Sequence, residues 1–132
     1  MTEIKKITKI ALLWYCVAGL LFAFFFLALT DFYAWGLMQW PYNDPFAFWS
    51  LGGTMLVLSL ASLMAYFKKE WEEIKLFLEL MLMWVTMMII MDIFALALLG
   101  LPATPMMYMI VNIILLTFNL VLGIYSWMKQ RG

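Results

Sequence analysis

The chain has 132 residues, of which 67% are hydrophobic and only 12% charged. A soluble domain this short cannot bury so much apolar surface, so the composition excludes an ordinary water-soluble fold and points to one compact unit embedded in a membrane. Eight Lys and Arg balance eight Asp and Glu, which excludes the basic face that a nucleic-acid partner requires; with no His, the usual metal ligand and neutral-pH acid–base group is missing.

Residues 1–9 form a basic head carrying Lys5, Lys6 and Lys9. The first span is predicted over residues 8–30. A basic head before an apolar run also describes a signal peptide. Here the run exceeds the ~7–15 residues of a typical signal core and no small-residue cleavage site follows, so a retained signal-anchor helix is expected. Gly19 and Ala23, four apart, present a face on which another helix can approach closely. Cys16 is the single cysteine; it excludes an internal disulfide and reads as a small buried hydrophobe.

Residues 31–45 make the longest connection and hold Tyr33, Trp35, Trp40 and Tyr42 with Pro41 and Pro45. Trp and Tyr favour the membrane–water boundary, so this segment is expected to lie along it. The second span is predicted over residues 46–67, with Pro45 just before it, where a missing N–H is tolerated. Its small residues, Gly52, Ser59, Ser62 and Ala65 among them, suit close helix contact. Gly52-Gly53 lacks the glycine spacing, lysine and strand context of a phosphate loop.

Residues 68–75 read as a charged hinge, residues 74–99 as the third span, residues 100–105 as a tight turn, and residues 106–127 as the fourth span. Every Lys and Arg lies in the head, the hinge or the tail. The two alternate connections carry Asp31 and Asp44 and no cation. By the positive-inside rule both termini face the cytoplasm. No internal repeat suggests a transporter built from duplicated halves.

The third span is the chemical anomaly, because it carries Glu79 and Asp92 in an otherwise apolar run. Asp92 lies seven residues before Leu99, ~10 Å inside the helix end at ~1.5 Å per residue. A carboxylate at such depth costs ~2.5–3.5 kcal/mol on insertion scales. It persists when a neighbour satisfies it or when it is protonated. Spans three and four fold back near Leu101-Pro102, so residues equally far from that turn share a depth. Glu79 then matches Ser126, Thr86 matches Asn119, and Asp92 matches Asn112. Seven-residue spacing holds a side chain near one helix face, drifting ~20° per heptad. This predicts a polar seam, with Asp92 about 120° off the Glu79–Thr86 line, either reaching Asn112 from the side or facing span one or two instead. One reading makes the seam interhelical hydrogen bonding, at ~0.6 kcal/mol per bond on average. The other makes Asp92, with Asn112 and Asn119, a proton- or ligand-handling site in a cavity.

Met83, Met87 and Met91 are spaced by four. Thioethers favour Cu(I), but Met also fills irregular gaps between helices, and packing is the expected role. No metal and no cofactor is expected.

An aromatic, Pro-bearing stretch at 31–45, Gly52-Gly53 early in span two, a charged hinge, a Gly-Leu-Pro turn at 100–102 and an Asn in span four together resemble small DoxX-like four-span membrane proteins of prokaryotes. The resemblance implies a four-helix bundle in a prokaryotic cell membrane and carries over no catalytic residue. The expected fold is therefore all-α, a four-helix transmembrane bundle with a Trp/Tyr-rich boundary segment between helices one and two. The expected function is non-enzymatic: an accessory subunit, scaffold or lipid-binding module, with membrane lipids, other membrane subunits or a second copy as partners. A small oligomeric transporter or channel using Asp92, Asn112 and Asn119 is the alternative. An enzyme acting on lipid or quinone ranks third, for want of a His, a nucleophile–base pair or a metal cluster.

Overall fold

The computed structural model describes residues 2–131; Met1 of the basic head and Gly132 lie outside them. The chain is all-α apart from one isolated β-bridge, Glu3 to Glu70. Four helices, α1 (Lys6–Leu27), α2 (Pro45–Tyr66), α3 (Trp71–Leu98) and α4 (Ala103–Arg131), are each long and apolar enough to cross a membrane. A fifth, shorter helix, Asp31–Leu37, is a π-helical turn. It was expected as part of an irregular connection. No Pro interrupts the chain between α1 and Pro41, so helical winding resumes three residues beyond Leu27.

The helices pack as two hairpins side by side, α1 on α2 and α3 on α4, with slimmer α1–α4 and α2–α3 contacts. Small residues make the first hairpin tight. A Cβ at Gly19 would run into the Ser59 hydroxyl, and one at Gly52 would lie 2.9 Å from the Phe26 and Leu27 side chains. Ser62 Oγ donates to the Leu12 carbonyl across 2.7 Å, joining α2 to α1. Gly123 does the same for α4: a Cβ there would meet Leu82 and the Tyr15 hydroxyl. Cys16 is buried within α1.

Local chemistry sets the helix ends. Asp44 Oδ1 accepts from Ala47 N at 3.4 Å, and Pro45 opens α2. Glu70 and Glu73 form a reciprocal capping box at the start of α3. Gly100, at φ +58°, reverses the chain after α3. α4 begins at Ala103 and not at residue 106. Pro105 falls in its first turn, where no intrahelical donor is needed.

The basic end is knitted together. Residues 2–4 run beside the start of α3, with Trp71 N donating to Thr2 O at 2.7 Å and Ile4 N to Lys69 O at 3.1 Å. Buried Gln130 accepts from Lys5 N (2.9 Å) and Thr8 Oγ1 (3.1 Å) and donates to Glu3 O (2.7 Å). Lys9 Nζ donates to the Tyr66 and Lys68 carbonyls, a cation on the C-terminal end of α2.

Candidate functional site

Asp92 and Asn112 meet across the α3–α4 hairpin. Asn112 Nδ2 donates to Asp92 Oδ2 at 2.6 Å, and Asp92 is only 6% exposed. The rest of the seam diverges. Thr86 is exposed, and its hydroxyl donates to the Leu82 carbonyl of its own helix. Asn119, its expected neighbour, turns toward α1: its Oδ1 accepts from Trp14 Nε1 at 2.6 Å, and its carbonyl from the Tyr15 hydroxyl at 2.6 Å. Glu79 accepts from Trp127 Nε1 at 3.1 Å, while Ser126 donates to Leu122 in its own helix. The matched pair nearest the turn, Asp92 and Asn112, meets, while the two pairs farther from the turn are rotated apart, as heptad drift on two long helices allows.

Two cavities flank the Asp92–Asn112 pair, and Asn112 lines both. The central cavity, about 340 Å³, takes walls from all four helices, among them Ala18, Ser59, Val85 and Leu116. Its surface is almost wholly apolar; the Ser59 hydroxyl is already spent on Met55 O at 2.7 Å. The exposed side chains Val17 and Leu21 are among its lining, as are Trp14 and Asn119, which are joined by a hydrogen bond.

The second cavity, about 270 Å³, lies between the π-helical turn, the start of α2, the end of α3 and the start of α4. Asp92 and Asn112 supply its carboxyl and amide; Tyr33, Trp40, Phe48 and Tyr108 supply aromatic walls. Tyr33 and Tyr108 stand edge to face, centroids 6.2 Å apart at 88°, as do Trp40 and Phe48 at 6.2 Å and 87°. Burial, and after it the Tyr108 phenol alongside, hold the Tyr33 phenol above its ordinary value, so it remains a neutral wall. Among the described residues no buried side-chain polar atom lacks a hydrogen-bond partner. Asp92 lines this cavity, and of its two carboxylate oxygens only Oδ2 carries a side-chain hydrogen bond, from Asn112.

The aromatic walls escaped the sequence reading, because residues 31–45 and Tyr108 are far apart in the chain and only the fold joins them. Trp127 was legible in principle: an indole N–H is donor-only, and Trp127 sits beside the position level with Glu79. The methionine stripe does not pack between helices. Met83 (65% exposed), Met87 (55%) and Met91 (56%) are exposed, Met91 at the edge of the Asp92 cavity that it helps to line, and among the described residues the buried Met are Met38, Met81 and Met109. Among the described residues no group of three His, Cys, Asp or Glu gathers to hold a metal.

The fold thus defines an all-helical protein with four membrane-length helices and a carboxyl–amide pair between two cavities. No family model, curated protein or solved structure matches the chain.

Proposed function

We propose that this is a non-enzymatic integral membrane protein that takes an amphiphilic molecule from the bilayer into the space between its two helical hairpins. The carrying observation is the central cavity, apolar and drawn from all four helices. The cavity is partly open at its side, so it is a cleft that a lipid chain can enter and not a sealed void. An acyl or isoprenoid chain entering between α1 and α4 fills it, and Asn119 and Asn112 offer amides to a polar head. Of the three non-enzymatic roles, accessory subunit, scaffold and lipid-binding module, this geometry favours the last.

In the membrane, both termini and the 68–75 segment face the cytoplasm, and the aromatic 31–45 segment lies at the opposite boundary. All eight cationic side chains sit at the first of these ends, which supports the placement. The likeness to DoxX-like proteins is part of the same proposal and concerns architecture.

Native mass spectrometry of protein taken directly from membranes tests the reading. Wild type is expected to carry a stoichiometric amphiphile, and Ala18→Phe, which fills the cavity, to lose it. A wild-type spectrum without adduct, or one unchanged by Ala18→Phe, sinks the proposal. A transporter role is the second reading, favoured by one observation: Asn112 is a wall common to both cavities and so stands between an outer and a central compartment.

A further inference from the structure

We propose that the Asp92 cavity binds a small organic cation, a quaternary or tertiary ammonium, between the Asp92 carboxylate and the rings of Tyr33, Trp40, Phe48 and Tyr108. This rests on the ligand-binding reading above and names the chemistry of its second compartment.

The first observation is a carboxyl without a cation of its own. Asp92 has an amide partner on one oxygen only. Lys75 is the nearest cationic side chain along α3, 17 residues away, about 25 Å at ~1.5 Å per residue. The remaining Lys and Arg cluster with it at the opposite end of the bundle. The ion pair found among the described residues, Lys68 with Glu73, is at that end too. An ionised Asp92 is therefore balanced by something the chain does not supply.

The second observation is the wall material. Aromatic faces carry negative quadrupole potential and attract cations within ~6 Å of the ring centroid, most strongly when desolvated. Four such rings line the same small volume as the carboxyl. Tyr33 stacks on Phe25, but Tyr108 and Trp40 meet their neighbours only edge to face, so not every ring face is spent on stacking. A hard metal cation fits poorly, because it needs six or so oxygen ligands and the cavity has one carboxylate. A neutral amphiphile leaves the carboxylate unanswered. A volume of about 270 Å³ admits a compact amine and excludes a two-chain lipid.

The test uses ¹⁵N-labelled full-length protein in micelles, titrated with choline or with its uncharged isostere 3,3-dimethylbutan-1-ol. The Trp40 indole N–H reports on the site. The Trp14 indole, bonded to Asn119, reports on the fold. Choline is expected to move the Trp40 signal saturably and at least tenfold more tightly than the alcohol. Asp92→Asn, which keeps a partner for Asn112, should weaken choline at least tenfold with the Trp14 signal unmoved. Phe48→Leu should weaken choline severalfold and leave the alcohol unchanged. Equal affinity for choline and the alcohol, or undiminished choline binding by Asp92→Asn, overturns the assignment. So does the lack of any saturable Trp40 shift. If the native mass spectrum still carries its amphiphile in that case, the inference fails alone and the central-cavity reading survives.

Discussion

Asn112 holds Asp92 by one carboxylate oxygen, at 2.6 Å, and that single bond joins α3 to α4 at the wall between two cavities. The bond does not explain why the acid is there. A polar contact of this kind contributes ~0.6 kcal/mol on average inside a membrane and rarely above ~1.7 kcal/mol. Placing the carboxyl at that depth costs ~2.5–3.5 kcal/mol. Asp92 is a net loss to stability.

Replacing it should therefore strengthen the bundle. Asp92→Leu is expected to raise unfolding stability by about 1–3 kcal/mol, the difference between these two effects. The extra volume of Leu has room in the adjoining cavity. Asp92→Asn should stay within about 0.5 kcal/mol of wild type, since an amide still meets Asn112. Equilibrium unfolding in mixed micelles reads both. A Leu variant weaker than wild type would show that the carboxyl is structural.

Gly19 lets α1 and α2 close onto each other. Gly19→Ala pushes a methyl into the Ser59 hydroxyl and should cost about 1–3 kcal/mol. Adding Ser59→Ala removes the obstructing oxygen and should restore part of that loss. Gly53→Ala, where nothing lies within 4 Å, should be neutral or gain up to about 1 kcal/mol. Thermal melts of the four proteins give the comparison, and equal losses at Gly19 and Gly53 contradict the packing assigned here.

Gln130 gathers three backbone and side-chain groups at the basic end. Gln130→Leu strands the Lys5 N–H, the Thr8 hydroxyl and the Glu3 carbonyl, and is expected to cost about 2 kcal/mol. Gln130→Glu keeps the acceptor and loses only the donor to Glu3, so it should fall between. Hydrogen exchange at Lys5 is the local readout: faster in Leu, near wild type in Glu. Unchanged protection in the Leu variant would mean the latch is ornamental.

Orientation has a direct measurement. With Cys16 replaced by Ala, a single cysteine at Asn43 should react with a membrane-impermeant maleimide applied to intact cells. One at Arg131 should react only after the membrane is opened. The reverse pattern removes the cytoplasmic assignment of both ends.

Most of the fold was legible because membrane-length apolar runs and their charged punctuation leave few alternatives. The small residues of α2 marked a face for close helix contact, and the structure makes α1 the helix that uses it. Counting outward from Leu101-Pro102 put Asp92 level with Asn112 and left open whether it meets that amide or faces span one or two; the structure pairs them. What counting could not supply was rotation. Thr86 and Asn119 share a level, yet one turns back on its own helix and the other reaches Trp14. Side-chain direction depends on how α1 leans on α4, a tertiary matter that one helix's pattern does not encode. The π-helical turn was missed for a related reason: aromatic and apolar residues at 32–35 suit a boundary loop or a helix equally, and packing on Phe26 and Tyr108 decides.

The 31–44 segment roofs the Asp92 cavity; buried Ala34 and Met38 and the packed rings of Tyr33, Trp35 and Trp40 fasten it, while hydrogen bonds at its ends are few. Trp49 Nε1 meets Thr30 Oγ1 at 3.0 Å beneath one end, and the Tyr42 hydroxyl reaches the Leu99 carbonyl at 3.3 Å near the other. Each such neutral bond is worth only ~1 kcal/mol net, whereas parting α1 from α2 breaks an interface with backbone nearly touching side chain. These end bonds are therefore the weaker part of the roof, and the rings packed on Phe26, Phe48 and Tyr108 are what keep it closed over the buried acid.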